Sequence, residues 1–186
     1  MAIYAASFVS LEDALSSPNN SQVDLIAVVA HVGSWDCQTL FPNSFRELVL
    51  KDNSRIGFLR VFTYDAEENY HMFFSAGTEN YFVIAINVVV DSYARCLIMS
   101  EHSSMIFVGP WDYCPIFASL RAIRDEMRNF ACYNDQIKIA LSARANEVKR
   151  LEYEECAAMS NNQGVISYVN GCNIEEVDEE VFVIKH

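Results

Sequence analysis

The chain has 186 residues, of which 52% are hydrophobic, and a formal net charge of −12. That hydrophobic share supplies a core and excludes global disorder, and the length suits one ordinary domain plus an addition. The acidic balance counts against tight, nonspecific phosphate binding, which rests on Lys and Arg.

The charge is unevenly spread. Residues 151–186 carry eight acids and one base, whereas residues 111–150 carry five acids and seven bases. Only 6 glycines and 4 prolines occur, too few for a fold built on glycine loops. The longest apolar stretch, residues 81–90, is interrupted by Asn87 and is far shorter than a membrane span. The first four residues lack a basic region, so no secretory signal is expected. The 6 cysteines are scattered without C-x-x-C spacing, which fits reduced thiols in an intracellular protein.

In chain order, residues 1–20 read as an N-terminal extension ending in the polar turn cluster Ser16-Ser17-Pro18-Asn19-Asn20-Ser21. Residues 23–32 form the first β-type run, and a loop over residues 33–44 follows. Residues 45–50 and 56–64 are the next two strands, joined by the hairpin signal Asp52-Asn53-Ser54. An irregular connector from Asp65 to Asn80 leads to a long fourth strand over residues 81–90. Residues 104–108 form the fifth and closing strand, stopped by Gly109-Pro110. A helix begins near Pro115, with Phe117, Leu120, Ile123, Met127 and Phe130 at spacings of three and four. A second helical stretch covers residues 135–159 and is broken by Ser160-Asn161-Asn162-Gln163-Gly164. Five such strands followed by helices suit a closed Greek-key barrel, an architecture that binds extended polymers across one open face. The expected division is an extension (1–20), a barrel with its closing helix (21–133), and a helix with an acidic segment (134–186).

Several local pieces carry a family resemblance over roughly residues 4–133. They are residues 23–32, Leu48-Val49-Leu50-Lys51-Asp52, Phe73-Phe74-Ser75-Ala76-Gly77 before the fourth strand, Ser104-Met105-Ile106-Phe107-Val108-Gly109, and the helix with Leu120-Arg121 and Phe130. In this pattern the chain resembles the telomere end-binding family, the single-stranded-DNA-binding OB domains of the protection-of-telomeres type. The resemblance implies an OB-fold, a five-stranded barrel followed by C-terminal helices. It also implies a nuclear, non-enzymatic protein that holds single-stranded telomeric DNA, or RNA, within a protein complex. In that family bases stack on aromatic side chains with Lys and Arg nearby, and stacking contributes roughly 1–3 kcal/mol per base. Two stretches depart from the family's pattern. Ala30-His31-Val32 and Ile84-Ala85-Ile86-Asn87 stand where the family often has basic or aromatic residues. Both departures fit the alternative, an OB-type adaptor that has lost the groove and docks proteins through its C-terminal helices.

Side chains alternate along a strand, so Arg60, Phe62 and Tyr64 share one face and Leu59, Val61 and Thr63 the other. The first set can form a stacking platform, or it can face the core. Trp35, with His31 before it, either clamps a ligand at the groove mouth or plugs the barrel end. Near the turn after strand four, Asp91 would repel phosphate, which leaves Tyr93 and Arg95 as contacts. The stripe Arg121, Arg124 and Arg128 can meet phosphates or an acidic partner, or form a solvated face offset by Asp125 and Glu126.

No metal ligand set, cofactor motif, nucleophile elbow or phosphate loop is visible, so the chain reads as a non-enzyme. At the C-terminus, Val181-Phe182-Val183-Ile184 follows six residues of which five are acidic. It resembles a SUMO-interacting motif, an apolar segment that adds a strand to a sheet edge. A last strand on the domain's own sheet is the other reading.

Overall fold

The computed structural model describes residues 7–36, 45–62, 70–111, 113–129 and 131–169. The chain is a closed five-stranded β-barrel with added helices. Strands β1 (Gln22–Asp36), β2 (Phe45–Lys51) and β3 (Ile56–Phe62) form an antiparallel meander. Their inward residues alternate with outward ones. Leu25, Ala27 and Val29 of β1, Leu48 and Leu50 of β2, and Leu59 and Val61 of β3 are fully buried in one cluster. Strand β4 (Phe82–Asp91) returns antiparallel to β1. Its inward positions run Val83, Ala85, Val88 and Val90, so the alternation skips one residue. Asn87 absorbs the skip with a φ of 53°, and its N–H donates to Asp24 Oδ1 at 2.8 Å.

The ring closes differently from the sequence expectation. Strand β5 (Cys96–Ile98) pairs antiparallel with β4 and parallel with β3, through Leu59↔Leu97 and Arg60↔Ile98. Strand β6 (Ser104–Val108), expected to close the barrel, instead continues along β4. The two are halves of one strand position. Between them Ser103 N–H donates to Ser100 O at 3.0 Å, and Ser100 N–H donates to Ser103 Oγ at 2.9 Å. That tight turn breaks the pairing, and a three-residue strand is too short to announce itself by periodicity.

Two helices plug the barrel. Helix α1 (Leu11–Ser16) is capped by Ser10, whose side chain accepts from Asp13 N–H. It buries Leu11 and Ala14 completely in the barrel cluster, so this part of the expected N-terminal extension is core. Helix α2 (Tyr70–Glu79) occupies the connector read as irregular. It inserts Phe73 and Ala76 into the same cluster. Gly77 permits the close approach, because a Cβ there would lie 2.8 Å from Val32 Cγ2. Asn80 ends the helix with a φ of 53°, and its side-chain amide donates to Val29 O at 3.0 Å.

A second apolar cluster lies on the outer face of the sheet. After a 3-10 turn (Pro115–Phe117), helix α3 (Ala118–Asn129) lays Leu120, Ile123 and Met127 against Val28, Ala30, Val49 and Phe82. Phe117 stacks on Phe82 with ring centroids 4.7 Å apart and planes 6° from parallel. Helix α4 (Ala131–Val169) runs through the break expected at residues 160–164. Its Tyr133, Ile137 and Leu141 join the same outer cluster. Phe130 lies outside the described residues. The described residues up to Arg144 form one compact unit and those from Ala145 onward a second. In the second unit, Arg150 bridges Glu147 at 3.0 Å and also pairs with Glu154, one turn away on either side.

The β2–β3 hairpin is fastened by one carboxylate. Asp52 Oδ2 accepts Leu11 N–H at 2.7 Å, while Oδ1 accepts Ser54 N–H, Ser54 Oγ–H and Arg55 N–H. Burial raises the Asp52 pKa, but these hydrogen bonds outweigh it and hold the carboxyl below its usual range. The bonds favour the ionised form, so their stabilisation is present above the ordinary carboxylate range. It is lost as pH falls through the depressed value. Asp52→Ala is expected to cost roughly 2–3 kcal/mol in urea denaturation at pH 7. The difference from the unchanged protein should shrink as pH drops below about 4; a difference independent of pH would contradict this role.

Candidate nucleic-acid interface

The outer face of β2 and β3 is built from three cross-strand pairs: Phe45 with Phe62, Glu47 with Arg60, and Val49 with Phe58. Arg60 and Phe62 do share this face, opposite the buried Leu59 and Val61, as strand alternation requires. Phe45 and Phe62 meet edge-on at 6.4 Å, and the Arg60 guanidinium lies 3.9 Å above the Phe45 ring. Arg60 is nevertheless only 6% exposed, not the open cation a stacking platform needs.

Helix α4 explains the difference. Arg144 reaches down from it and donates Nη2–H to Glu47 Oε1 at 2.6 Å and Nε–H to Glu47 Oε2 at 3.0 Å. Its Nη1–H donates to Ala94 O at 2.5 Å, and its guanidinium sits 5.2 Å from the Phe58 ring centre. Arg60 Nη2–H donates to the same Glu47 Oε1 at 3.1 Å. Two guanidinium groups thus converge on one carboxylate in a site largely withdrawn from water. Burial raises the Glu47 pKa, but the Arg144 hydrogen bond and charge, then Arg60, lower it more, and the net direction is down. Burial likewise opposes the charge on Arg144, and Glu47 reverses this, so the guanidinium is held more firmly protonated than usual.

The other expected contacts scatter around this covered centre. His31 is exposed on β1, opposite Val49, and burial of its surroundings pushes its pKa below the usual value. Trp35 lies in β1 opposite Arg46, and its side chain is outside the described residues. Phe62 is half-buried at the end of β3. Tyr93 and Arg95 are exposed in the turn between β4 and β5. Arg95 adopts a φ of 51° there, while Ala94 between them accepts from Arg144. Tyr64, and Val181, Phe182, Val183 and Ile184, lie outside the described residues.

The expected arginine stripe on α3 is only partly solvated. Arg124 is buried and donates to Asn80 O at 3.1 Å and Glu79 O at 3.2 Å, tying α3 to the end of α2. Sequence reasoning passed over Glu47 and Arg144. Glu47 occupies an outward position between Phe45 and Val49, a faint sign that a charge partner covers it. Arg144 is separated from it by 97 positions, and nothing local connects them.

Among the described residues no group of side chains could hold a metal ion, and no helix is long and apolar enough to cross a membrane. A cavity of about 160 Å³ between α2 and the segment leading into β6 is lined by Val61, Met72, Phe73, Met99, Met105 and Phe107 with Ser103 and Ser104.

No family model matches the chain, and no curated protein matches it. Solved structures do. A chain of a replication protein A heterotrimer bound to single-stranded DNA is similar with a TM-score of 0.55 and 21% identity over 67% of this chain. The match spans 29% of that longer chain. A HIN domain of Ifi202 in complex with double-stranded DNA aligns with a TM-score of 0.37 and 15% identity, over 49% of this chain and 43% of that one. The replication protein A likeness is one of fold: this barrel is an OB-fold with added helices.

Removing the shared carboxylate should be costly, because two buried cations lose their counter-charge. Glu47→Gln is expected to destabilise the protein by roughly 3 kcal/mol at pH 7. A double-mutant cycle with Arg144→Met should show coupling above about 1 kcal/mol. Additive losses would mean that the two side chains do not act together.

Proposed function

We propose that this protein is a non-enzymatic OB-fold protein that binds single-stranded nucleic acid, telomeric DNA in particular, as a nuclear subunit of a larger complex. The observation that carries this reading is the closed OB barrel with aromatic and basic side chains at its rim. His31 stands on the outer strand face, and Tyr93 with Arg95 stands on the β4–β5 turn. Such barrels hold extended polymers by stacking bases on aromatic rings, with cations alongside. The likeness to a replication protein A chain supports the same class of ligand. A net charge of −12 predicts modest affinity with a shallow salt dependence, and gives partner subunits a role in retention.

A second reading rests on a specific observation. Arg144 and the α3–α4 helices cover the middle of the outer sheet face, where an OB groove would lie. A barrel so covered suits an adaptor that presents its helices to other proteins. Nucleic acid and adaptor roles separate in one experiment. Fluorescence polarisation of the full chain with labelled telomeric-repeat DNA, oligo(dT) and RNA, at two salt concentrations, should show single-strand binding with a preference for the telomeric repeat. Equal affinity for all strands would remove the telomeric specificity, and no binding to any would leave the adaptor reading.

A further inference from the structure

The connector between β6 and α3 carries two of the most exposed aromatic residues among those described. Trp111 is 64% exposed and Tyr113 is 82% exposed. Exposed aromatic rings lose apolar surface to water, and here they are also held in place. The Trp111 ring folds back over Gly109, where an added Cβ would lie 2.7 Å from ring carbon Cε2. It meets the Tyr81 ring at 5.6 Å with planes 83° apart. The Arg121 guanidinium lies 5.3 Å from the Tyr113 ring centre and donates to Cys114 O at 3.0 Å. Both rings are therefore oriented before any ligand arrives, which lowers the ordering cost of binding.

The rings lead into a line of positive charge. Arg121 and Arg128 are seven residues apart and share one face of α3, separated by about 10 Å along its axis. The acids beside them have partners: Asp125 lies 3.6 Å from Arg124, and Glu126 accepts from Tyr133 Oη–H at 2.5 Å. Asp112, between the two rings in sequence, adds one negative charge against Arg121 and Arg128. The flank lies in residues 111–150, where bases outnumber acids in a chain that is otherwise acidic.

We infer that Trp111, Tyr113, Arg121 and Arg128 form a single-stranded nucleic-acid contact strip outside the covered strand face, with bases stacking on the two rings and phosphates meeting the two arginines. This inference rests on the single-strand binding reading above and names where that binding occurs. It resolves the conflict between an OB barrel and a strand face already occupied by Arg144.

The test uses the full chain and a fluorescein-labelled oligo(dT) in polarisation titrations. Trp111→Ala/Tyr113→Ala should weaken binding at least ten-fold with an unchanged melting temperature, since neither ring lies in the core. Arg128→Glu should weaken it and flatten the salt dependence. Gly109→Ala, which displaces the Trp111 ring, should weaken it less than the double variant. Phe62→Ala, on the covered face, should leave affinity within two-fold. If the unchanged protein binds but the double variant binds equally well, the strip is wrong and single-strand binding stands. If Phe62→Ala instead abolishes binding, the ligand uses the strand face. If the unchanged protein binds no single strand, both readings fall together.

Discussion

One carboxylate organises the surface of this barrel. Glu47 projects from β2 into a place where Arg60 of β3 and Arg144 of α4 both reach it, at 3.1 and 2.6 Å. A lone buried acid there would be expensive, and so would either arginine alone. Together they are charge-assisted, mutually oriented and packed between Phe45 and Phe58. The contact links two adjacent strands to a helix that begins 84 residues after Glu47 in the chain. It is also the reason that Arg60 is unavailable to a ligand.

Around this contact the fold separates two apolar surfaces. The inside of the barrel is filled by alternating strand residues and plugged by Leu11 and Ala14 from one helix and Phe73 and Ala76 from another. The outside is covered by Phe117, Leu120, Ile123 and Met127, then by Ile137 and Leu141. An outer face so rich in Val, Ile and Phe would be an adhesive patch if left bare. The helices after residue 115 are thus part of the folded unit through Arg144, rather than an appendage to a barrel already complete. What remains open for recognition lies at the rim and on the helical flank, where aromatic rings and arginines stand clear of the core.

Much of this was legible in the sequence. Period-two alternation correctly divides β3 into Leu59 and Val61 inside and Arg60 and Phe62 outside. The hairpin at Asp52 and the apolar stripe of α3 follow from turn chemistry and helical spacing. The missed elements have local causes. Helix α2 contains Gly77 and several β-favouring aromatics, so its segment does not read as helical until it packs against Val32. The closing strand Cys96–Ile98 has only three residues, and its pairing with β3 is parallel and distant in the chain. Exposure of Arg60 could not be judged from alternation, because an outward-facing side chain can be covered by a later helix. The Arg144–Glu47 pair has no sequence signature at all. Trp111 and Tyr113 stand two residues apart between the last strand and α3, with Pro110 and Pro115 on either side, a loop signal whose aromatic content carries more meaning than its turn residues.

Single-stranded nucleic acid is proposed to meet the helical flank, since Arg144 closes over the strand face at Glu47. The most direct measurement is ultraviolet cross-linking of the full chain to bromodeoxyuridine-substituted single-stranded DNA, with the attachment points mapped by mass spectrometry. Cross-links at Trp111 or Tyr113, with none on the β3 peptide containing Phe58 and Phe62, are the expected result. Cross-links on β3 with none on the connector would contradict it, and would mean that α4 leaves the sheet when DNA binds.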